Sequence, residues 1–381
     1  MAQPDNRKRI LHVVEDLHMG GLERVIETIV LGLDRRRYDV EVWCLARGGA
    51  IADELLSRGV PVKIQGLTSY YNPAKVRELS TRMAAGRFDV VHTHGYFAST
   101  FARLALLLLR GPAVIHHSHT TDLNFKARNR RIESLLSLCS DRVVCVSRAV
   151  SRFAEESLGV APQKIRVVYN TAFADGERPA ERTAGGQDVL SRLSPEDFVI
   201  LSIASLTRNK GHDVLLTAMA ELLPRHGGIR GIIVGEGPER RFLESRIDHL
   251  GLKNHAFLAG LRQDVLPFLH RADVVALCTI GREGLSVALI EGAAAGRPLV
   301  GSDLGGIPEV IEHGANGFLF RPGDTRELVQ ALERLITNPE LRERMGQRSR
   351  ALYGDRFSRE VMIGRIEQMY DEVLQGRAHA S

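Results

Sequence analysis

The chain has 381 residues, 44% hydrophobic and 6% aromatic, the composition of a folded globular protein of about two domains, which excludes wholesale disorder. Its 51 Lys and Arg against 46 Asp and Glu give a net charge of +5, which suits a polyanion, an anionic membrane surface or a phosphorylated small molecule and selects none of them. The four cysteines, Cys44, Cys139, Cys145 and Cys278, form no CxxC pair and read as buried free thiols of a reducing compartment, not as disulfides or a zinc framework.

The polar start Met1-Ala-Gln-Pro-Asp-Asn-Arg-Lys-Arg9 leads straight into an apolar strand and is not a secretory signal. The strongest apolar run, Leu104 to Leu109, falls far short of the roughly 18 residues that a spanning helix needs. A cytoplasmic protein is expected, open to contact with the inner face of the membrane.

Ile10 to Val14 reads as a buried strand, followed by a loop through Met19-Gly20-Gly21 and a helix from Leu22 to Leu33. Strands at Val40–Cys44, Val62–Ile64, Val90–His94, Ala113–His116, Arg142–Val146 and Ile165–Val168 continue the beat, with helices at Ile51–Ser57, Thr100–Leu109 and Arg148–Ser157. Between Ala172 and Ser194 there is little to bury, which marks a linker. The beat restarts with strands at Phe198–Ser202, Gly231–Val234, Ala256–Leu258, Val274–Cys278, Pro298–Gly301 and Gly317–Phe320, and helices at Gly211–Leu223, Glu239–Leu250, Val265–His270, Ser286–Ala295 and Asp324–Thr337. Alternating βα units feed parallel sheets. The fold class is therefore α/β, with two Rossmann-like doubly wound domains facing a deep interdomain cleft: residues 1–172, a linker over 173–194, residues 195–350, and a helical segment over 351–381 that can pack on either domain. Ligands of such sheets gather at the carboxyl ends of the strands.

The segment Glu283-Gly-Leu-Ser-Val-Ala-Leu-Ile-Glu291 carries the most chemical information. A turn leads into an apolar helix whose first amides, those of Gly284, Leu285, Ser286 and Val287, favour phosphate charge by about 0.3–1 kcal/mol through the helix dipole alone. Glu291 sits among apolar neighbours, where a carboxylate is costly to bury without a hydroxyl or amide partner, and a ribose can supply one. Arg208 and Lys210 follow the first strand of the second half, where a loop can present cations to a diphosphate, each charged hydrogen bond being worth about 1.5–3 kcal/mol. Gly235-Glu-Gly-Pro238 and Gly305-Gly-Ile-Pro-Glu309 are loops at the same sheet edge, the first suited to a base pocket. In the first half, Gly20 and Gly21 permit close approach of a bulky anion to a helix start, whereas Glu23 and Arg24 read as solvated or interdomain. The sequence is not GxGxxG and contains no P-loop, which counts against nicotinamide dinucleotides and Walker-type ATP hydrolysis.

His92, His94, His116, His117 and His119 end two neighbouring strands and raise the question of a zinc site. No acidic partner has ligand spacing and successive strand residues point to opposite faces, so no metal is expected. Asp-x-Asp occurs nowhere, and charge on a leaving phosphate must then be met by amides, Lys and Arg. The basic runs Arg35-Arg-Arg37 and Lys126-Ala-Arg-Asn-Arg-Arg131 lack interleaved aromatics, which argues against nucleic acid. The second run lies near Leu123 and Phe125 and suits either an ordinary surface helix or contact with anionic lipid.

Together, Gly20-Gly-Leu-Glu-Arg24, His92-Thr-His94, His117-Ser-His-Thr120, Lys210-Gly211, Gly235-Glu-Gly-Pro238, the Glu283–Glu291 pair and Gly305-Gly-Ile-Pro-Glu309 resemble glycosyltransferase family 4, the retaining nucleotide-sugar transferases of GT-B fold, over residues 10–350. The resemblance implies transfer of a sugar from a nucleoside diphosphate donor, UDP being the commoner base, to a hydroxyl acceptor, which can be lipid-linked, in cell-surface polysaccharide or glycolipid synthesis. By the same resemblance Glu283 holds donor-sugar hydroxyls, Lys210 neutralises the leaving phosphate, Gly21 lies against the donor, and His117 stands near the anomeric centre, with His119 as second choice and Gly20 and His94 on the acceptor side. The nucleotide sugar is a substrate, and no metal or other cofactor is implied. The family's usual Arg five residues before the Lys is Ser205 here; Arg208 or Arg262 can replace it. Two alternatives stand beside transfer: a nucleotide-sugar epimerase of similar architecture, and a non-catalytic sugar-nucleotide-binding subunit of a polysaccharide assembly complex.

Overall fold

The computed structural model describes residues 7–18, 20–67, 72–107, 109, 111–119, 127–172, 187–262 and 264–378. The chain forms two compact units, Met1–Asn170 with Arg359–Ser381, and Thr171–Ser358. Each is built on one parallel sheet.

The first sheet comprises β1 (Lys8–Val14), β2 (Tyr38–Cys44), β3 (Val62–Ile64), β4 (Val90–His94), β5 (Ala113–Ser118), β6 (Arg142–Cys145) and β7 (Ile165–Val167), in the order β3-β2-β1-β4-β5-β6-β7. The second comprises β8 (Phe198–Ile203), β9 (Ile229–Val234), β10 (Ala256–Gly260), β11 (Val274–Leu277), β12 (Leu299–Ser302) and β13 (Gly317–Phe320), in the order β10-β9-β8-β11-β12-β13. Both follow the Rossmann order, in which the chain reverses direction across the sheet between the first and fourth strands, β1/β4 and β8/β11. The near-continuous Val, Ile and Leu runs are those of strands covered on both faces: Ile10, Leu11, Val13, Ile200 and Leu201 are fully buried. Because such runs need no alternation, every strand falls within a few residues of its expected place.

The helices diverge more. Pro73–Gly86 and Pro339–Leu352 were not expected. Both begin with Asn-Pro: Asn72 Oδ1 accepts from the Ala74 amide at 3.0 Å and Asn338 Oδ1 from the Leu341 amide at 2.9 Å, each an N-cap before a proline that needs no donor. The helix Tyr96–Leu106 starts four residues before the expected Thr100, immediately after Gly95, whose φ of 69° turns the chain off β4. Of the linker, residues 173–186 lie outside the described residues, and a short helix, Gln187–Leu190, follows. Met19, Leu123, Phe125 and Lys126 also lie outside them.

The final helix, Arg359–Ala378, belongs to the first unit. Glu367 accepts from the Asp34 amide at 3.0 Å, Asp371 pairs with Arg37 at 2.7 Å, Glu372 with Arg166 at 3.0 Å, and Arg377 with Asp141 at 2.8 Å. Tyr370 is fully buried between this helix and the sheet. All four cysteines are free; Cys139 corrects the expectation of burial, since it follows the helix Ala127–Leu138 in an exposed turn.

Candidate active site

In the second unit the loops leaving β8 and β11 are joined at the strand-order reversal. The Ile280 and Gly281 amides donate to the Asn209 carbonyl at 2.8 and 3.2 Å. Gly211, with φ 65°, lies against Cys278 so closely that a β-carbon there would enter the Cys278 carbonyl oxygen. This junction brings Lys210 to Glu283: Nζ donates to Oε2 at 2.6 Å, and Thr279 Oγ1 donates to the same oxygen at 3.4 Å. The two side chains retain 21% and 12% of their exposure, so a partly buried ion pair stands at the carboxyl end of the sheet.

Behind Glu283 the helix Val287–Ala294 begins at Ser286, whose Oγ accepts from the Leu289 amide at 3.2 Å. Ser286 thus uses its side chain as the cap, and Gly284, Leu285 and Ser286 are buried. The Gly306 amide donates to the Glu283 carbonyl at 3.1 Å. β-Carbons at Gly305, with φ 57°, and at Gly306 would run into the Glu283 and Gly284 carbonyls. The Gly305-Gly306 turn therefore fixes the backbone carrying the carboxylate. Glu291 lies in the first two turns of this helix and is buried, 7% exposed.

Arg208 and Ser205 are exposed. Among the described residues no hydrogen bond or ion pair joins Arg208 or Arg262 to the Lys210–Glu283 pair. The Ser205 carbonyl pairs with His212 Nε2 at 3.1 Å and its hydroxyl with Thr207 at 3.2 Å, which shapes the loop without supplying charge. Gly235, with φ 151°, abuts the Ala204 carbonyl, so packing inside the second unit already accounts for its lack of a side chain.

In the first unit Gly20 is the extended N-cap residue of the helix Gly21–Gly32. A β-carbon at Gly21 would meet nothing within 4 Å; the fold does not require glycine there. Of the two readings of Arg24, solvated or interdomain, the first does not hold: it pairs with Glu27 at 2.8 Å and Glu54 at 3.5 Å with 11% of its side chain exposed. Burial raises the Glu27 carboxyl to about 7, with Arg24 opposing.

The histidines form two groups on opposite faces of the first sheet. Registers His12↔His92 and His94↔His117 place His12, His92, His94, His117 and His119 on one face. Their rings stack, at 4.4 Å between the centroids of His92 and His94 and 4.2 Å between those of His117 and His119. His12 Nδ1 meets His94 Nε2 at 2.9 Å, and the Tyr370 hydroxyl meets His92 Nδ1 at 2.8 Å and His12 Nε2 at 3.3 Å. Burial, followed by neighbouring imidazoles, holds His92, His94 and His117 well below the usual imidazole range, and His12 and His119 are lowered to about 3. These rings are neutral at pH 7. Residues two apart share a face, so alternation does not scatter them as the sequence argument supposed.

His116 lies on the other face. Its Nδ1 meets Ser99 Oγ at 2.6 Å, Ser99 meets Thr93 at 2.7 Å, and Nε2 lies 3.5 Å from Glu133, which accepts two bonds of 2.7 Å from the fully buried Arg103. This network ties the helix Ala127–Leu138 to the sheet.

Sequence reasoning missed His12, Tyr370 and Thr279. His12 stands mid-strand, and only the β1–β4 register gives it meaning; Tyr370 arrives from a helix 278 residues from His92. No local signal marks either.

The sequence profile of Glycosyltransferase Family 4 matches residues 19–172, and that of Glycosyl transferases group 1 matches residues 190–352. EpsD of Bacillus subtilis (strain 168), named as a glycosyltransferase, is 27% identical over 314 residues, 80% of this chain and 81% of its own. The Escherichia coli UDP-Gal:alpha-D-GlcNAc-diphosphoundecaprenol alpha-1,3-galactosyltransferase is 22% identical over 98% of this chain and 99% of its own. The structure of Anabaena Alr3699/HepE in complex with UDP-glucose superposes with a TM-score of 0.80, at 22% identity, over 97% of this chain and 99% of that one. Among the described residues no helix is long and apolar enough to cross a membrane. With two units of Rossmann strand order, each matched by its own half of the family, the chain belongs to the family 4-like glycosyltransferases of GT-B fold and is a hexosyltransferase-type enzyme.

Proposed function

We propose that this glycosyltransferase moves a sugar from a UDP-sugar to a hydroxyl acceptor with retention at the anomeric carbon, in the building of cell-surface polysaccharide or glycolipid. The observation that carries the proposal is the Lys210–Glu283 pair at 2.6 Å, held at the start of the helix Val287–Ala294. A cation beside helix-start amides favours a diphosphate as its charge develops on bond cleavage. A carboxylate fixed from both sides by backbone is a rigid acceptor for sugar hydroxyls. Glu283 takes the donor sugar in this reading, Lys210 and the exposed Arg208 the leaving phosphate, and the amides of Gly284, Leu285, Ser286 and Val287 the diphosphate. Glu291 takes the ribose, and Gly235 lines the base.

From the first unit, Gly21 and Gly20 leave room for the donor. His117, neutral and with both ring nitrogens lacking a partner among the described residues, positions sugar and acceptor beside His94 and His119. No metal ion takes part, because Lys210 and amides supply the charge. UDP-glucose in Alr3699/HepE and the alpha-D-GlcNAc-diphosphoundecaprenol acceptor named for the E. coli relative support the donor class and a lipid-linked acceptor. The helix Ala127–Leu138 supports action at the inner membrane face: Arg128, Arg131, Leu135 and Leu138 follow a single helical stripe, and all four are exposed.

The test is donor-dependent transfer by Glu283→Gln and Lys210→Ala, each checked for folding by its unfolding midpoint. Both are expected to lose transfer while folded, and near-normal turnover in both would reject the roles.

A further inference from the structure

The buried face of the first sheet ends in three imidazoles, His94, His117 and His119, whose nitrogens can do more than position sugar and acceptor. His94 Nδ1, both nitrogens of His117 and His119 Nε2 are buried and have no hydrogen-bond partner among the described residues. Unsatisfied buried polar atoms are costly, on the order of 1–3 kcal/mol each, and four in contact at a strand end call for an occupant.

One nitrogen from each of His94, His117 and His119 lies within 4.8 Å of the other two. The ring centroids are 5.3 Å (His94–His117), 5.8 Å (His94–His119) and 4.2 Å (His117–His119) apart, from which ring rotation must bring the three nitrogens to about 2.0–2.1 Å from one ion. We propose that His94, His117 and His119 form a binding site for one divalent first-row transition-metal ion, zinc fitting best. Three neutral imidazoles without carboxylate suit zinc or its neighbours and not magnesium or calcium.

The surroundings have the form of a supporting shell. With the proton on His94 Nε2, that nitrogen donates to His12 Nδ1 at 2.9 Å, His12 Nε2 donates to the Tyr370 oxygen at 3.3 Å, and Tyr370 donates to His92 Nδ1 at 2.8 Å. That direction of donation leaves His94 Nδ1 as an unprotonated lone pair, which is how an outer hydrogen bond sets the tautomer of a metal-binding histidine. The proposed reaction needs no ion but shares these three histidines, so on that reading zinc bound here inhibits transfer, reversibly on chelation, whereas metal binding itself is read without donor or acceptor.

The experiment uses the untagged full chain, stripped with a chelator and titrated with Co²⁺ followed by its visible d–d bands, and with Zn²⁺ by calorimetry. One equivalent of each is expected, with intense tetrahedral cobalt bands that zinc displaces. His119→Gln and His94→Gln should each abolish the bands, whereas His226→Gln, in the second unit, should not. His12→Gln should retain one equivalent with affinity lowered about 10- to 100-fold, as a supporting residue does. Unfolding midpoints measured without metal show whether each variant is folded; should His94→Gln fail to fold, His119→Gln carries the test. Absence of cobalt bands and zinc heat in the wild type overturns the proposal. So does loss of binding in His12→Gln with retention in His119→Gln, since that places the ion on His12, His92 and His94.

Discussion

Acid should unfold the first unit at a pH most proteins tolerate. Six histidines on its sheet, His12, His92, His94, His116, His117 and His119, are held below the ordinary value of 6.5, all primarily by burial: His12 and His119 to about 3, His116 to about 4, the others well below normal. An unfolded histidine takes up its proton near pH 6.5, so beneath that pH the unfolded chain binds more protons than the folded one and stability falls with falling pH. The contribution is complete above about 6.5 and is lost progressively towards the folded values of about 3 to 4. Each group contributes a slope approaching about 1.4 kcal/mol per pH unit, so six together remove about 8 kcal/mol by pH 5.5. That is comparable with the entire stability of an ordinary domain, about 5–15 kcal/mol. The assay is denaturant unfolding followed by fluorescence of Trp43, the sole tryptophan, 3% exposed on β2 of this unit. The midpoint should collapse between about pH 7.5 and about pH 5.5. An unchanged midpoint over that interval would refute the reasoning, because it would mean that these rings charge while folded.

Further expectations concern individual side chains. Arg103→Ala strands a buried carboxylate on Glu133 and should cost about 3–5 kcal/mol in unfolding free energy, whereas Arg103→Met with Glu133→Leu should recover most of it. Gly21→Ala should change stability by less than about 0.5 kcal/mol, since a β-carbon there meets nothing, yet reduce transfer; Gly306→Ala, which collides with the Gly284 carbonyl, should lower the unfolding midpoint and transfer together. Leu135→Glu with Leu138→Glu, at positions 65% and 69% exposed, should reduce cosedimentation with anionic vesicles and leave transfer to a soluble acceptor unchanged.

The parallel strands were legible because burial on both faces writes them as unbroken apolar runs such as Phe198–Ile203 and Val274–Leu277. The helix starts at Asn72-Pro73 and Asn338-Pro339 carry an equally plain local signal, an Asn cap before a first-turn proline, but neither helix has a strong apolar stripe behind it. Lys210 and Glu283 each looked functional from their loops. That they touch, 73 residues apart, depends on β8 and β11 being neighbours, which strand order decides and local sequence does not. The histidine stack shows the same limit: His92, His94, His117 and His119 were visible as a cluster, but His12 and Tyr370 join it only through register and through the return of the last helix to the first unit. Long-range pairing is a property of the whole chain, and single motifs do not encode it.

The most direct test of the account is calorimetric titration of UDP, with chelator present, into the wild-type chain and Lys210→Ala. Loss of one charge-assisted contact of about 1.5–3 kcal/mol predicts saturable binding by the wild type and affinity about 10- to 150-fold weaker in the variant. Equal affinity in the two proteins, or binding by the wild type only when a divalent ion replaces the chelator, would contradict it.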